Sequence, residues 1–266
     1  MNVNAKALDG LGILITRPEK QAHTLAKRLE KIGAVPVLLP TIEIAPPQDT
    51  QPLRDALAQL DAYDFVMFVS PNAVEQALAT LPQQAKTQWP KTVQALAPGK
   101  GTAAALQQAG VPVESILMPI SRFDSEGLLE LPTLQNMQGK RVLILRGEQG
   151  RELLSETLTA RGAEVTRVAC YRRICPTENV DLLPLLQSSR LCAITATSAE
   201  ALDNLETMAG SLASGLLKTR PVFVTHPRIA AHGRERGWLA IDTSEENGED
   251  SDSKLICGMI VFFASL

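Results

Sequence analysis

The sequence aligns with itself at an offset of about 128 residues, and this limits the possible fold more than any other feature. Ile13-Leu14-Ile15-Thr16-Arg17 matches Val142-Leu143-Ile144-Leu145-Arg146 at an offset of 129. The same offset pairs Leu25 with Leu154, Leu29 with Leu158, and Gly33-Ala34 with Gly162-Ala163. Further on, residues 65–72 lie against 192–200 at 127 or 128, and Thr102-Ala103 and Gly110 lie against Ile229-Ala230 and Gly237 at 127. Three strand–turn–helix units recur in the same order in both halves, which is the mark of a duplication. Two similar α/β units facing each other would create one cleft, and function is expected there.

Each half begins with a buried strand, a turn and a helix. In the first, a strand over 12–15 and the turn Thr16-Arg17-Pro18 lead to a helix reaching about residue 31. Ala22, Leu25, Ala26 and Leu29 form one helical face, and Gly33 supplies the left-handed residue of a C-cap. Residues 142–168 repeat this pattern, with Leu153, Leu154 and Leu158 as the apolar face and Gly162 as the stop. Second strands are expected at 65–69 and 192–195. Ser70-Pro71-Asn72 places a cap before an N1 proline, and Thr197-Ser198-Ala199-Glu200 has capping-box spacing. Third strands near 93–97 and 222–225 lead into Gly99-Lys100-Gly101-Thr102 and His226-Pro227-Arg228. A further helix start falls at Asp124-Ser125-Glu126-Gly127. Alternation of strands and helices makes both sheets mainly parallel, with right-handed connections.

After each first unit comes an extended stretch closed by proline, at 38–44 and 168–174. These stretches fit either edge strands within each domain or two crossover strands that pair between domains. In the crossover arrangement the domains exchange their first units. Residues 1–37 and 176–266 would form one discontinuous domain, 52–165 the other, with 38–51 and 166–175 as linker strands.

Composition narrows the function. Hydrophobic residues make up 45% and charged residues 21% of 266 positions, as in a soluble globular protein. A net charge of −3 argues against a nucleic-acid partner, which selects basic faces. Cys170, Cys175, Cys192 and Cys257 form no CxxC pair and read as reduced thiols of a cytoplasmic protein. No N-terminal targeting signal is visible. A polar acidic stretch over 244–252 precedes an apolar run over 255–266, which is shorter than the ~20 residues a bilayer span needs, so no membrane association is expected. That run reads as a final core element or as altered terminal sequence.

Familiar catalytic signatures are missing: there is no GxSxG elbow, GxxxxGK[ST] loop, GxGxxG after a strand, or HExxH. His23, His226 and His232 give no triad or metal set. What remains is a series of helix N-termini at strand C-ends, where α/β proteins bind ligands and where free N–H groups and the helix dipole suit anions. Arg17, Arg146, Arg151 and Arg228 strengthen that anion reading. Any parallel fold has such turns, however, and caps serve stability more often than function. Tyr171 sits beside Arg172 and Arg173. By residue type it reads as a half-exposed strand aromatic. Facing a cleft, its phenol could donate a proton to a leaving hydroxyl, the more so if arginines lower its pKa.

Taken together, Ile15-Thr16-Arg17-Pro18, Ser70-Pro71-Asn72-Ala73-Val74, Leu145-Arg146-Gly147-x-x-Gly150-Arg151, Leu158-x-x-Arg161-Gly162-Ala163-x-Val165 and Tyr171-x-Arg173 resemble the uroporphyrinogen-III synthase family. The resemblance runs from about residue 12 to 242, and residues 254–266 depart from the family's shorter last helix. It implies a bilobed α/β fold, two similar parallel-sheet domains joined by a two-stranded β-ladder around a central cleft. The reaction it implies is closure of linear hydroxymethylbilane (preuroporphyrinogen) to uroporphyrinogen III, with loss of water and inversion of ring D through a spiro intermediate. No metal or organic cofactor is implied. The implied partners are the small-molecule substrate and a transient contact with the upstream hydroxymethylbilane synthase, for a chain acting as a monomer. Carried over, Tyr171 becomes the catalytic proton donor. Arg17, Ser70, Asn72, Thr102, Ser125, Gly127, Arg146, Arg151, Thr197, Ser198 and Arg228 become substrate-binding candidates. The rivals are a two-lobed binding protein for an anionic metabolite and, more weakly, a nucleotide-dependent transferase.

Overall fold

The computed structural model describes residues 8–80, 89–150, 152–177, 182–187 and 191–266. The chain divides into two compact units, residues 1–43 with 174–266, and residues 44–173.

The first unit is built on a five-stranded sheet. Its strands are β1 (Gly12–Ile15), β2 (Val35–Leu38), β9 (Leu191–Ala196), β10 (Pro221–Val224) and β11 (Leu239–Asp242), in the order β11-β10-β9-β1-β2. Every pairing is parallel. The second unit contains β3 (Glu43–Ala45), β4 (Phe65–Phe68), β5 (Gln94–Leu96), β6 (Ile116–Leu117), β7 (Arg141–Gly147) and β8 (Glu164–Ile174). They run in the order β3-β8-β7-β4-β5-β6, and the five strands from β8 to β6 are parallel.

Under the sequence repeat, β1, β2, β9, β10 and β11 correspond to β7, β8, β4, β5 and β6, so the two sheets share one strand order. β1 pairs with β9, about two thirds of the chain away, with Ile13 opposite Ala193. The stretch 168–174 is the continuation of β8, and β3 lies beside β8 at the edge of the second sheet.

Both faces of each sheet are covered, and so the central strands β1, β4, β7, β9 and β10 are largely apolar rather than alternating with polar residues. Leu14, Ile194, Val222 and Val224 enter one core of the first unit, while Ile13, Ile15, Ala193 and Phe223 enter the other. In the second unit Val66, Phe68, Leu143 and Leu145 point one way, and Phe65, Met67, Val142 and Ile144 the other. The period-2 splitting of single runs between two cores follows from the pleat.

The duplication extends to the turns. Helix α1 (Glu19–Glu30) and helix α6 (Leu153–Ala160) both end before a glycine with positive φ, Gly33 at +86° and Gly162 at +97°. A Cβ at Gly33 would lie 2.5 Å from Asp9 Oδ1, and one at Gly162 2.6 Å from Gln138 Oε1. The N–H of Gly10 donates to the Gly33 carbonyl, as Gly139 does to Gly162. Conformation and space both demand glycine there.

Helix α10 (Ser251–Ala264) decides between the two readings of the apolar tail. Leu255 and Met259 are buried in the core with Ile13, Ile15 and Phe223, and Phe262 meets Phe223 edge-on at 5.6 Å. The tail is a core element of the first unit. Among the described residues, no helix is long and apolar enough to cross a membrane.

Candidate functional site

In the second unit, the C-ends of β4 and β7 and the start of a short helix, α5 (Ser125–Leu129), surround a cavity of about 150 Å³. Its walls include Val69, Ser125, Arg146, Gly147, Gly150 and Tyr171. This is the carboxyl end of a parallel sheet, the usual ligand side.

Tyr171 reaches the cavity because β8 is irregular. Arg146 pairs with Ala169, but the next residue, Gly147, pairs with Tyr171, so Cys170 is the extra residue of a bulge. Bulges re-aim side chains. Here the bulge lays the phenol ring over Gly147, where a Cβ would stand 3.0 Å from the ring carbons Cε2 and Cζ. The residue is 6% exposed rather than the half-exposed aromatic its type suggested. Its hydroxyl stands 3.4 Å from Ser70 Oγ, either of which can donate. The bulged Cys170 is buried against the carbonyl of Arg146, at 3.2 Å. Burial pushes its thiol up to about 12, which keeps it protonated and unreactive near neutrality.

Ser70 has a second duty. It caps helix α3 (Pro71–Ala79), its Oγ accepting from Ala73 N–H at 3.2 Å. Asn72, half-buried, is the second residue of that helix. Arg146 is 12% exposed, and its Nη1 donates to Glu152 Oε1 at 2.8 Å. Glu152 is bound in turn by Ser155 Oγ at 3.0 Å and by Arg167 Nη1. Those hydrogen bonds, Ser155 first, then Arg146, then Arg167, hold its carboxyl below the usual range.

Ser125 lines the cavity, whereas Gly127 is committed to structure. The Gly127 N–H donates to Asp124 Oδ1 at 2.8 Å, closing the cap of α5. A Cβ at Gly127 would be 2.0 Å from the Arg122 carbonyl oxygen, which explains the glycine without a ligand. Thr102 is buried near the start of helix α4 (Lys100–Gln108), outside the cavity wall. Arg151 lies outside the described residues.

The candidates of the first unit stand at its own helix starts. Arg17 pairs with Asp252 of α10 and is only 10% exposed. Its guanidinium serves the docking of α10, a use that the sequence pattern did not indicate. Ser198 caps helix α8 (Ala199–Leu217), accepting from Ala201 N–H at 3.1 Å. The cap thus falls one residue later than the capping-box spacing from Thr197 suggests, and Thr197 is half-buried just before it. Arg228 is exposed near the start of helix α9 (Pro227–Glu235), its own N–H donating to His226 Nδ1 at 3.1 Å. Among the described residues, no group of three or more His, Cys, Asp or Glu is placed to hold a metal ion.

Of the residues named from the sequence, the structure brings Ser125, Arg146 and Tyr171 together around one cavity, with Ser70 beside the Tyr171 hydroxyl. Sequence reading missed Glu152, which holds Arg146, Ser155, which holds Glu152, and the part that Gly147 plays under Tyr171. The motif Leu145-Arg146-Gly147-x-x-Gly150 was the available signal, since its glycines leave room for a ring and a guanidinium.

The comparisons with known proteins show the family. Residues 23–251 match the family model described as Uroporphyrinogen-III synthase HemD. The chain is 38% identical over 244 residues to the uroporphyrinogen-III synthase of Escherichia coli (strain K12), covering 91% of this chain and 98% of that protein. It is 37% identical to that of Salmonella typhimurium, with the same coverage. For the fold alone, a mutant uroporphyrinogen III synthase from the extremely thermophilic bacterium Thermus thermophilus superposes with a TM-score of 0.52 at 20% identity, covering 92% of this chain and 96% of that one. The uroporphyrinogen-III synthetase of Helicobacter pylori 26695 gives 0.57 at 16% identity, covering 92% and 98%. The chain belongs to the uroporphyrinogen-III synthase family.

Proposed function

We propose that this chain is a lyase that closes hydroxymethylbilane to uroporphyrinogen III, with loss of water and inversion of the last pyrrole. The observation that carries the assignment to a particular site is the Tyr171 hydroxyl beside Ser70, in a cavity that Arg146 also lines. Loss of water from the substrate needs one proton donor at the departing hydroxyl, and Tyr171 is a phenol held in a mostly apolar wall. Ser70 is its hydrogen-bond partner, and Arg146 supplies positive charge for a substrate carboxylate.

After water leaves, the electrophilic chain needs little further acid–base chemistry. The remaining task is to hold the substrate so that the substituted carbon of the last ring is attacked, and orientation of that kind is worth several kcal/mol. Asn72, Thr102, Thr197, Ser198 and Arg228 enter the same proposal as helix-start positions suited to carboxylates. Cytoplasmic location and action as a monomer complete it.

Incubating the purified chain with freshly made hydroxymethylbilane and separating the products tests the activity. An enzyme gives the type III isomer, whereas a protein that only binds the substrate leaves uncatalysed closure to type I. The Tyr171→Phe variant tests the site. A fall in turnover of about a hundredfold is expected for loss of a general acid, and near-normal turnover would remove Tyr171 from that role.

A further inference from the structure

Arg146 is the wall between two hollows of the second unit. On one side lies the cavity that Tyr171 lines. On the other is a more open hollow of about 260 Å³ bounded by Arg146, Glu148, Glu152, Arg167, Val168 and Ala169. Arg146, Glu152 and Arg167 meet at this wall. Glu152 binds Arg146 with one carboxylate oxygen, and Arg167 and Ser155 with the other. One net positive charge is left among the three.

Glu152 sits at the N-cap position of α6, where a carboxylate would ordinarily turn to accept the helix's own N–H groups. It makes no such cap bond. Its side chain is turned instead to the two arginines, and its exposure, 43%, contrasts with 12% for Arg146. At the other amino group of the guanidinium, Gly150 leaves the necessary room, since a Cβ there would stand 2.8 Å from Nη2. The mostly buried arginine is thus held at Nη1 by an exposed carboxylate and fitted at Nη2 against a glycine.

We propose that Glu152 is the positioning residue for Arg146: its carboxylate fixes the guanidinium at the boundary of the Tyr171 cavity, oriented to receive a carboxylate of the substrate. This rests on the reading of that cavity as the substrate site. Glu152 touches no reacting atom and acts only through the arginine. Without it, Arg146 and Arg167 are left as neighbouring like charges and move apart, although the site becomes more positive overall.

That opposition of effects gives the test its sign. If Glu152 merely subtracted charge, removing it would draw a polyanionic substrate in more tightly and lower KM. If Glu152 positions Arg146, removing it raises KM in spite of the added positive charge. For the Glu152→Ala variant of the full chain, a rise in KM for hydroxymethylbilane of about tenfold is expected, the scale of one misaligned charge-assisted hydrogen bond. The kcat should stay within about twofold, because the proton donor is untouched. Glu152→Asp should recover most of the KM, which a purely structural role would not require. An unchanged or lowered KM in Glu152→Ala overturns the proposal. Arg146→Ala and Tyr171→Phe are measured alongside. Should Glu152→Ala be silent while those two are impaired, the positioning role fails and the site stands. If all three are silent, the site reading falls and the positioning role with it.

Discussion

The two units use one backbone plan and end it differently. Arg17 and Arg146 are equivalent in the repeat, Arg17 just after β1 and Arg146 near the C-end of β7. Arg17 is taken by Asp252 of α10, while Arg146 is held by Glu152 from the turn after its own strand. The helices α10 and α5 are equivalent as well. Both follow the last strand of their sheet, and both begin at an aspartate that accepts an N–H three residues on, Ser253 to Asp250 and Gly127 to Asp124. In the first unit this helix has 14 residues and fills a core. In the second it has five, and Ser125 at its start faces a cavity.

The position of Tyr171 repeats the lesson. Its counterpart at an offset of 129 is Ile42, which is buried. There β2 has stopped at Leu38, while Thr16, Thr41 and Thr195 close the strand ends with hydrogen bonds to main-chain carbonyls. One copy of this strand end is closed by threonine hydrogen bonds, and the other lines a cavity.

The contrast can be broken by substitution at matched positions. The largest expected effect is on catalysis in the second unit, where Tyr171→Phe should lower turnover about a hundredfold. Its counterpart, Ile42→Val, should cost only about 1 kcal/mol of stability, read by thermal unfolding. Equal losses of turnover in both would end the distinction.

Next in size is Gly147→Ala. The new Cβ would meet the Tyr171 ring at 3.0 Å, tighter than ordinary contact. The ring must shift, and a misplaced donor should cost about tenfold in kcat with KM nearly kept. A kcat equal to that of the unaltered chain would show that the ring's seat on Gly147 is irrelevant.

Asp252→Ala should act in the opposite sense. It strands a mostly buried guanidinium and loosens α10, lowering unfolding free energy by about 2 kcal/mol. Activity per folded molecule should be kept. Unaltered stability would mean that the Arg17 pair does not hold the helix.

The smallest effect concerns Asp250, which Ser253 N–H and then Arg28 hold at about 2, against an ordinary value of 3.8. A depressed carboxylate contributes stability above its unfolded pKa and loses it as pH falls through the folded one. Asp250→Asn should therefore flatten the loss of stability between about pH 4 and pH 2, seen in acid titrations followed by circular dichroism. Superimposable acid transitions would contradict the pairing.

Much of this frame was legible in the sequence because the repeat carries its own punctuation. Gly33 and Gly162 mark the same helix end, and the runs at 13–15 and 142–145 mark the same central strand. The chemistry-bearing part was harder to read. Ser70, Ser125 and Arg146 could be placed at strand C-ends, but no periodicity announces a bulge, and without it Tyr171 falls on an ordinary strand position. The engagement of Arg17 by Asp252 was hidden for a different reason. It joins positions 235 residues apart through a helix whose sequence alone fitted either a core element or an altered tail. Glu152 escaped notice because no periodicity or motif ties it to an arginine six positions earlier at a strand end.

The most direct measurement is the matched pair Arg146→Ala and Arg17→Ala, each assayed for kcat/KM with hydroxymethylbilane and for thermal midpoint. Arg146→Ala is expected to lose activity with its midpoint nearly kept, and Arg17→Ala to lose stability with activity per folded molecule nearly kept. The reverse pattern would place the chemistry at the other strand end and contradict the division of labour between the two copies.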